Sequence, residues 1–300
     1  MERPVPSDLP HVDRPPERRP RRAAAPYVLS SPALLWLLVL FVIPMFTMAT
    51  LALQEGSAIE GFRMTWRFAN FTEAISANGE FLLRSLRNGA IVTLVALLLA
   101  YPVAYWIAFY GGRFKSVFLF LLLLPFFVSF VIRTVAWSFI LSDEGIIFGT
   151  LKGFGLLPDD FAVIGTTFAV VAGITYNLLP FTILPLYVSL EQIDRHLVEA
   201  AKDLYATKTE AFLRVVFPLS LPGVFAALLL TSIPAIGDYV NASVLGGPGT
   251  SMIGNIIQSE FLRARDYPEA AALAFVLMAV MLIAAIVYAR LLGTERIIEG

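Results

Sequence analysis

Residues Glu199–Gly223 read EAAKDLYATKTEAFLRVVFPLSLPG. This charged, helix-forming stretch lies between two long apolar runs, and its polarity places it outside any bilayer those runs cross. Ile193, Leu197, Ala200, Ala201 and Leu204 recur at helical spacing, with Glu191, Asp194, Arg195, Glu199, Lys202 and Asp203 opposite them. Ser189 with Gln192 has the form of a capping box that would start this helix. A second short helix is predicted at about Lys208–Val216, and Pro218 and Pro222 should break the chain as it returns to apolar surroundings. The small residues Ala200 and Ala201 would let a partner approach closely while the flanking charges set its register. An amphipathic helix resting on a membrane surface without a partner has the same periodicity.

Working outward, 58% of the chain is apolar and 15% charged, against about 45–50% and about 25% in soluble domains. The excess is clustered into six runs, roughly Pro32–Leu53, Gly89–Tyr110, Ser116–Leu141, Phe161–Tyr187, Val215–Val240 and Pro268–Leu292. Each is long enough to cross a hydrocarbon core of about 30 Å as a helix. Helix is the expected form, because the runs lack strand alternation and hydrocarbon offers no partner for free backbone groups. With the N-terminus inside, the inner segments carry about twice the Lys and Arg of the outer ones, which predicts an N-in, C-in protein. This orientation puts the Glu191–Arg214 loop in the cytoplasm.

Residues 1–26 are rich in Pro, Arg, Asp and Glu and are expected to form a disordered cytoplasmic tail ahead of an uncleaved first span. The membrane domain would then run over residues 27–300, with its cytoplasmic loop at about 189–216. Between the first two spans, Asn70 with Glu73 has capping-box spacing and predicts a short surface helix. The GGPG turn at Gly246–Gly249 and an amphipathic Ser251–Phe261 predict another on the same side.

The absence of cysteine excludes disulfides, iron–sulfur clusters and thiol nucleophiles. Two distant histidines, His11 and His196, make a histidine metal site unexpected, and no metal or other cofactor is expected in this chain. No G-x-x-x-x-G-K-[ST] loop is present to cradle nucleotide phosphates. Neither a nucleophile–base constellation nor a nucleic-acid-binding signature is present, so no catalytic residue is expected.

The loop resembles the "EAA" loop of ABC-importer permeases in Glu199-Ala200-Ala201, Asp203-Leu204, Ala206, Phe217-Pro218-Leu219 and Pro222-Gly223. Tyr205 stands where that family pattern has a glycine; a positive φ there would cost about 1–2 kcal/mol. Either the turn is built differently here, or Tyr205 packs on the partner. Further stretches resemble permeases of the spermidine/putrescine (PotB) type. They are LLPFFVSFVIRTVAWSFIL (Leu123–Leu141), IGDYVNASVLGGPGTSMIGNIIQSEF (Ile236–Phe261) and RDYPEAAALAF (Arg265–Phe275). The resemblance implies an all-α, six-span, type I importer permease in the bacterial inner membrane. Its expected partners are an ATP-binding subunit dimer (PotA-like), a second permease (PotC-like), an extracytoplasmic solute-binding protein (PotD-like) and membrane lipid. It implies that Glu199, Ala200, Ala201, Asp203, Leu204, Tyr205 and Ala206 contact the ATPase, and that the solute is a polyamine moved by alternating access. A permease for another small solute and an ion-coupled secondary transporter are the alternatives.

Arg133 and Asp238 are charges within spans three and five, where charges are rare and usually line a path or pair. Pro234 and Gly237 can loosen the fifth helix beside Asp238. A polyamine would suit Asp238, Tyr239, Trp137 and Glu260 through carboxylates and aromatic faces, whereas an Arg133–Asp238 pair would be purely structural. Asn177, with Thr175 and Tyr176, is a further polar group that either lines a path or bonds between helices.

Overall fold

The computed structural model describes residues 25–291. The proposed N-terminal tail up to Ala24 therefore lies outside the described residues, as does Arg296. Contacts divide the chain into two units at Met48 and Ala49. The first holds most of helix α1 (Ala25–Ala52), which is apolar on all sides, with Leu34, Trp36 and Phe46 exposed. Such a surface suits lipid rather than water.

The second unit starts with a two-stranded hairpin, β1 (Gln54–Ser57) and β2 (Gly61–Met64), which the sequence reading did not anticipate. Helix α2 (Ala69–Tyr110) then runs without interruption through the segment expected to be a surface helix and the second span. Asn70 does not cap it. Its amide instead donates to the carbonyls of Ala52 and Gln54, at 2.9 and 2.8 Å, while Glu73 pairs with Arg67 at 2.8 Å. The capping residues were drawn into tertiary contacts, and the helix extended through them.

The third apolar run departs most from expectation. It is not one helix. Helix α3 (Lys115–Leu123) passes through a tight turn at Leu124–Phe127 into α4 (Phe130–Leu141), and the two halves meet at 91°. Pro125 lacks an N–H and crowds the preceding turn, and Val128 is extended. Five helices among the described residues are long and apolar enough to cross a membrane, and this bent pair is a sixth candidate.

After short α5 (Phe148–Gly153), helix α6 starts at Thr167 rather than near Phe161 and runs to Glu191. Thr166 caps it, accepting from the Ala169 amide at 3.3 Å. The loop helices are α7 (Arg195–Asp203) and α8 (Lys208–Ala211). A wide turn over Phe212–Val216 joins α8 to α9 (Phe217–Ile236). The expected break at Pro218 and Pro222 is absent: Pro218 lies in the first turn of α9, and the wide turn before it relieves the hydrogen bond that proline cannot donate. The chain then passes through α10 (Val240–Leu245), α11 (Ile253–Ser259) and α12 (Tyr267–Leu291).

Helices α2, α6 and α9 pack together, with α12 against α2. Two cores lie along them. Val92, Val170, Ile174, Leu245 and Met252 fill the one nearer α11, and Ala100, Ala104, Ile183, Leu186, Leu190 and Val216 the one nearer α7. The alanine row on α2 (Ala96, Ala100, Ala104, Ala108) is fully buried, as small residues must be where helix backbones approach closely. Gly223 is tighter still: a Cβ there would fall 2.4 Å from that of Ser189 and 2.8 Å from the Pro185 carbonyl oxygen. Gly223→Val should therefore push α9 off α6 and destabilise the chain by about 2–3 kcal/mol. Thermal unfolding of the purified protein would check this; an unchanged midpoint would show that the crossing relaxes freely.

Candidate functional site

The α6–α7–α8 turn is anchored on one side and bare on the other. Asp194, rather than Ser189, caps α7, accepting from the His196 amide at 2.9 Å, so α6 extends two residues past the expected start of the loop helix. Thr207 and Glu210 form a reciprocal capping box on α8. Arg195 donates to the Ala108 carbonyl at the end of α2 at 3.0 Å, and Lys115 pairs with Glu191 at 2.6 Å. Ile193 and Val198 pack into the nearby core. These contacts hold the loop while its tip projects: Leu204 is 81% exposed and Tyr205 95%. Glu199, Ala200 and Asp203 are also exposed, whereas Ala201 and Ala206 are half-buried. Glu199 has one ionic partner, His196 at 3.3 Å, also on the surface.

Tyr205 has φ +62°, so the tight turn is built with positive φ despite the missing glycine. The Tyr205 amide bonds the Lys202 carbonyl at 2.9 Å and the Ala206 amide the Ala201 carbonyl at 3.1 Å. These two bonds make a Schellman closure, the usual reason for a glycine there. The backbone thus keeps the glycine geometry and carries a fully displayed phenol. Tyr205→Gly should raise thermal stability by about 1 kcal/mol through strain relief. A lower melting temperature would show that the ring holds the turn.

A second polar centre forms where α9 ends. Gly237–Tyr239 interrupts the fifth apolar run, and Asp238 accepts from the Asn241 backbone amide at 2.8 Å and its side-chain amide at 2.9 Å. Asn241, fully buried, accepts through Oδ1 from Thr134 on α4 and from Asn177 on α6, both at 3.1 Å. Asn177 also donates to Thr134 at 3.1 Å. The Trp137 and Tyr176 rings meet beside these residues at 5.3 Å. Tyr239 is exposed, and its carbonyl accepts from Asn255 at 3.0 Å. Asp238, Asn177, Trp137 and Tyr239 are thus brought onto adjoining elements. Thr134 and Asn241 complete the network; the Asp-x-x-Asn spacing was the signal for Asn241, and Thr134 had none.

Arg133 does not pair with Asp238. Its guanidinium lies over Phe126 and Phe130, at 5.1 and 5.9 Å, and its buried Nε has no hydrogen-bond partner. Glu260 has no hydrogen bond to the network. It stands in the wide turn after α11, where burial and then the carboxylates of Glu269 and Asp266 raise its pKa.

Residues 93–293 match the model of the "binding-protein-dependent transport system inner membrane component" family. The chain belongs to this family. It is a multi-pass inner-membrane permease subunit of an ABC importer, and ATP hydrolysis belongs to a separate subunit. The permease is 37% identical over 229 residues to the spermidine/putrescine transport system permease protein PotB of Escherichia coli (strain K12), covering 76% of this chain and 83% of that one. The Haemophilus influenzae (strain ATCC 51907 / DSM 11121 / KW20 / Rd) PotB is 34% identical over 258 residues, covering 85% and 90%. A solved bacterial importer of the acidic polysaccharide alginate shares the permease's fold, with a TM-score of 0.67 at 19% identity, covering 89% of this chain and 94% of that one.

Proposed function

We propose that this permease carries a polyamine, spermidine or putrescine, and that the α7–α8 tip transmits the ATPase stroke. The observation that carries the coupling role is the tip itself. It is anchored through Arg195 and Ile193, and it displays Leu204 and Tyr205 bare to solvent at a fixed backbone angle. Exposed apolar side chains on a rigid turn suit insertion into a cleft of another protein. Glu199, Ala200, Ala201, Asp203 and Ala206 surround them and set the register. The excess of Lys and Arg supports a cytoplasmic position for this tip, in an N-in, C-in chain of six spans with the bent α3–α4 pair as the third.

The polyamine assignment rests on the similarity to PotB proteins. Asp238, beside the helix break, supplies a carboxylate for an ammonium group, with Trp137 and Tyr239 as aromatic faces. Asn177 positions Asp238 through Asn241, and Glu260 is an outer carboxylate on the approach. Arg133, held over two phenylalanine rings, is a support for the bent span rather than a contact for a cation. In this reading the partners are an ATP-binding subunit dimer, a second permease and an extracytoplasmic solute-binding protein, corresponding to PotA-, PotC- and PotD-like chains. The alternating-access cycle then works as a shift between outward- and inward-open populations.

The test is uptake of labelled spermidine and putrescine in cells lacking this chain, with and without a plasmid copy. Uptake lost and then restored by the plasmid is the expected result. Full uptake without the chain, in a strain stripped of other polyamine systems, would move the substrate to another small solute.

A further inference from the structure

Beneath the coupling tip lies a cavity of about 230 Å³ between α7, α8 and the end of α2. Its inner wall is aromatic: Tyr105 packs on Phe109 at 4.8 Å and edge-on to Phe212 at 5.6 Å. Its rim is cationic, formed by Arg195, Lys202 and Lys208. Arg195 lies over the Phe109 ring at 5.9 Å and is held by the Ala108 carbonyl. Among the described residues, neither lysine belongs to an ion pair. The one carboxylate in the lining, Glu199, lies 3.3 Å from His196. The pocket therefore carries an excess of positive charge, three cations to one carboxylate, against an apolar wall formed by α2 and the wide turn before α9.

We infer that this pocket binds the phosphate headgroup of an anionic phospholipid of the inner leaflet. Two observations and one general pattern converge on it. Arg195 is held at the junction of the spanning helix α2 with the loop helix α7, and Lys202 and Lys208 stand exposed beside it. The aromatic wall suits the glycerol and upper acyl region. Basic residues beside the cytoplasmic ends of spanning helices attract anionic headgroups, as basic pockets between such helices do. A free phosphate could use the same cations but would leave the aromatic wall idle. The assignment to the inner leaflet rests on the orientation proposed above. Because Lys202 and Arg195 stand on α7 itself, a bound headgroup ties the coupling helix to the membrane surface and stiffens it for the ATPase stroke.

The test is native mass spectrometry of the purified full-length chain with phosphatidylglycerol or phosphatidylcholine, and with inorganic phosphate as competitor. Phosphatidylglycerol should be retained at least tenfold more tightly than phosphatidylcholine. At about 1 kcal/mol per basic residue near a headgroup, the Lys202→Gln/Lys208→Gln variant should lose about thirtyfold of that retention. Both lysines are exposed, and an unchanged melting temperature would establish that the variant folds. Equal retention of the two lipids, or undiminished phosphatidylglycerol binding by the variant, would overturn the proposal. Displacement by millimolar inorganic phosphate would reassign the pocket to a free anion and overturn it as well. Co-purification of an ATPase subunit is scored separately on the wild type. Its absence would defeat the coupling role while leaving the lipid measurement standing.

Discussion

A Glu199→Lys chain reaches the membrane in normal amount and supports on the order of a hundredfold less uptake than the wild type. Glu199 is exposed and its one ionic partner, His196, is also at the surface, so reversing its charge removes nothing that holds α7 in place. The fold should therefore be indifferent to it. The proposed partner is not: a like-charge contact in a docked interface costs several kcal/mol, and in the proposed mechanism this tip transmits the stroke. Membrane content, uptake and ATPase co-purification should be measured on the same cells. Normal uptake with normal co-purification would remove Glu199 from the interface, whereas loss of the protein from the membrane would show a folding role that its surroundings do not suggest.

Asn241→Leu should have the largest effect on stability, about 3 kcal/mol, with loss of transport. The side chain is fully buried and joins α4, α6 and the break before α10. Removing it breaks three buried bonds, to Asp238, Thr134 and Asn177, at about 0.5–1.5 kcal/mol each, while the Phe130 carbonyl, the Asn177–Thr134 bond and the backbone amide of residue 241 still serve those groups. A thermal midpoint within a degree of wild type would show that a compensating bond forms. Asp238→Asn makes the informative comparison. It keeps an oxygen for one of the two Asn241 donors but turns an NH2 on the other, so it should be less stable than wild type by about 1–2 kcal/mol, less than Asn241→Leu. If the carboxylate meets an ammonium group, polyamine uptake by that variant falls about tenfold or more. Uptake at the wild-type level would make Asp238 a capping residue and nothing else.

The contrast between these two sites shows what could be read without a structure. The helical form of the proposed coupling loop was legible in the sequence because the loop is polar. In water, amphipathic periodicity and exposed charge report on local structure, and Ile193 to Leu204 carried both. Even there the sequence misplaced the cap, at Ser189 rather than Asp194, because Ser189 lies against Gly223 on a neighbouring helix. At Tyr205 it left open whether a non-glycine residue would adopt the turn. The closing hydrogen bonds decided that, holding φ at +62°.

The sequence by itself determined that this chain is a bundle of apolar helices with one polar loop, since hydrocarbon leaves the backbone no alternative and the charges mark what stays outside. It also determined the family, through motifs spread over most of the chain. Tertiary structure alone decided the 91° bend at Val128–Ser129, the placing of Arg133 on two phenylalanine rings instead of beside Asp238, and the joining of Asp238 to Thr134 and Asn177 through Asn241. The physical reason is that a spanning helix is apolar on every side. Its hydrophobicity carries no signal about which face meets which neighbour. That choice falls to close approaches at small residues, such as Gly223 against Ser189 and the α2 alanines, and to the few polar groups that must find one another.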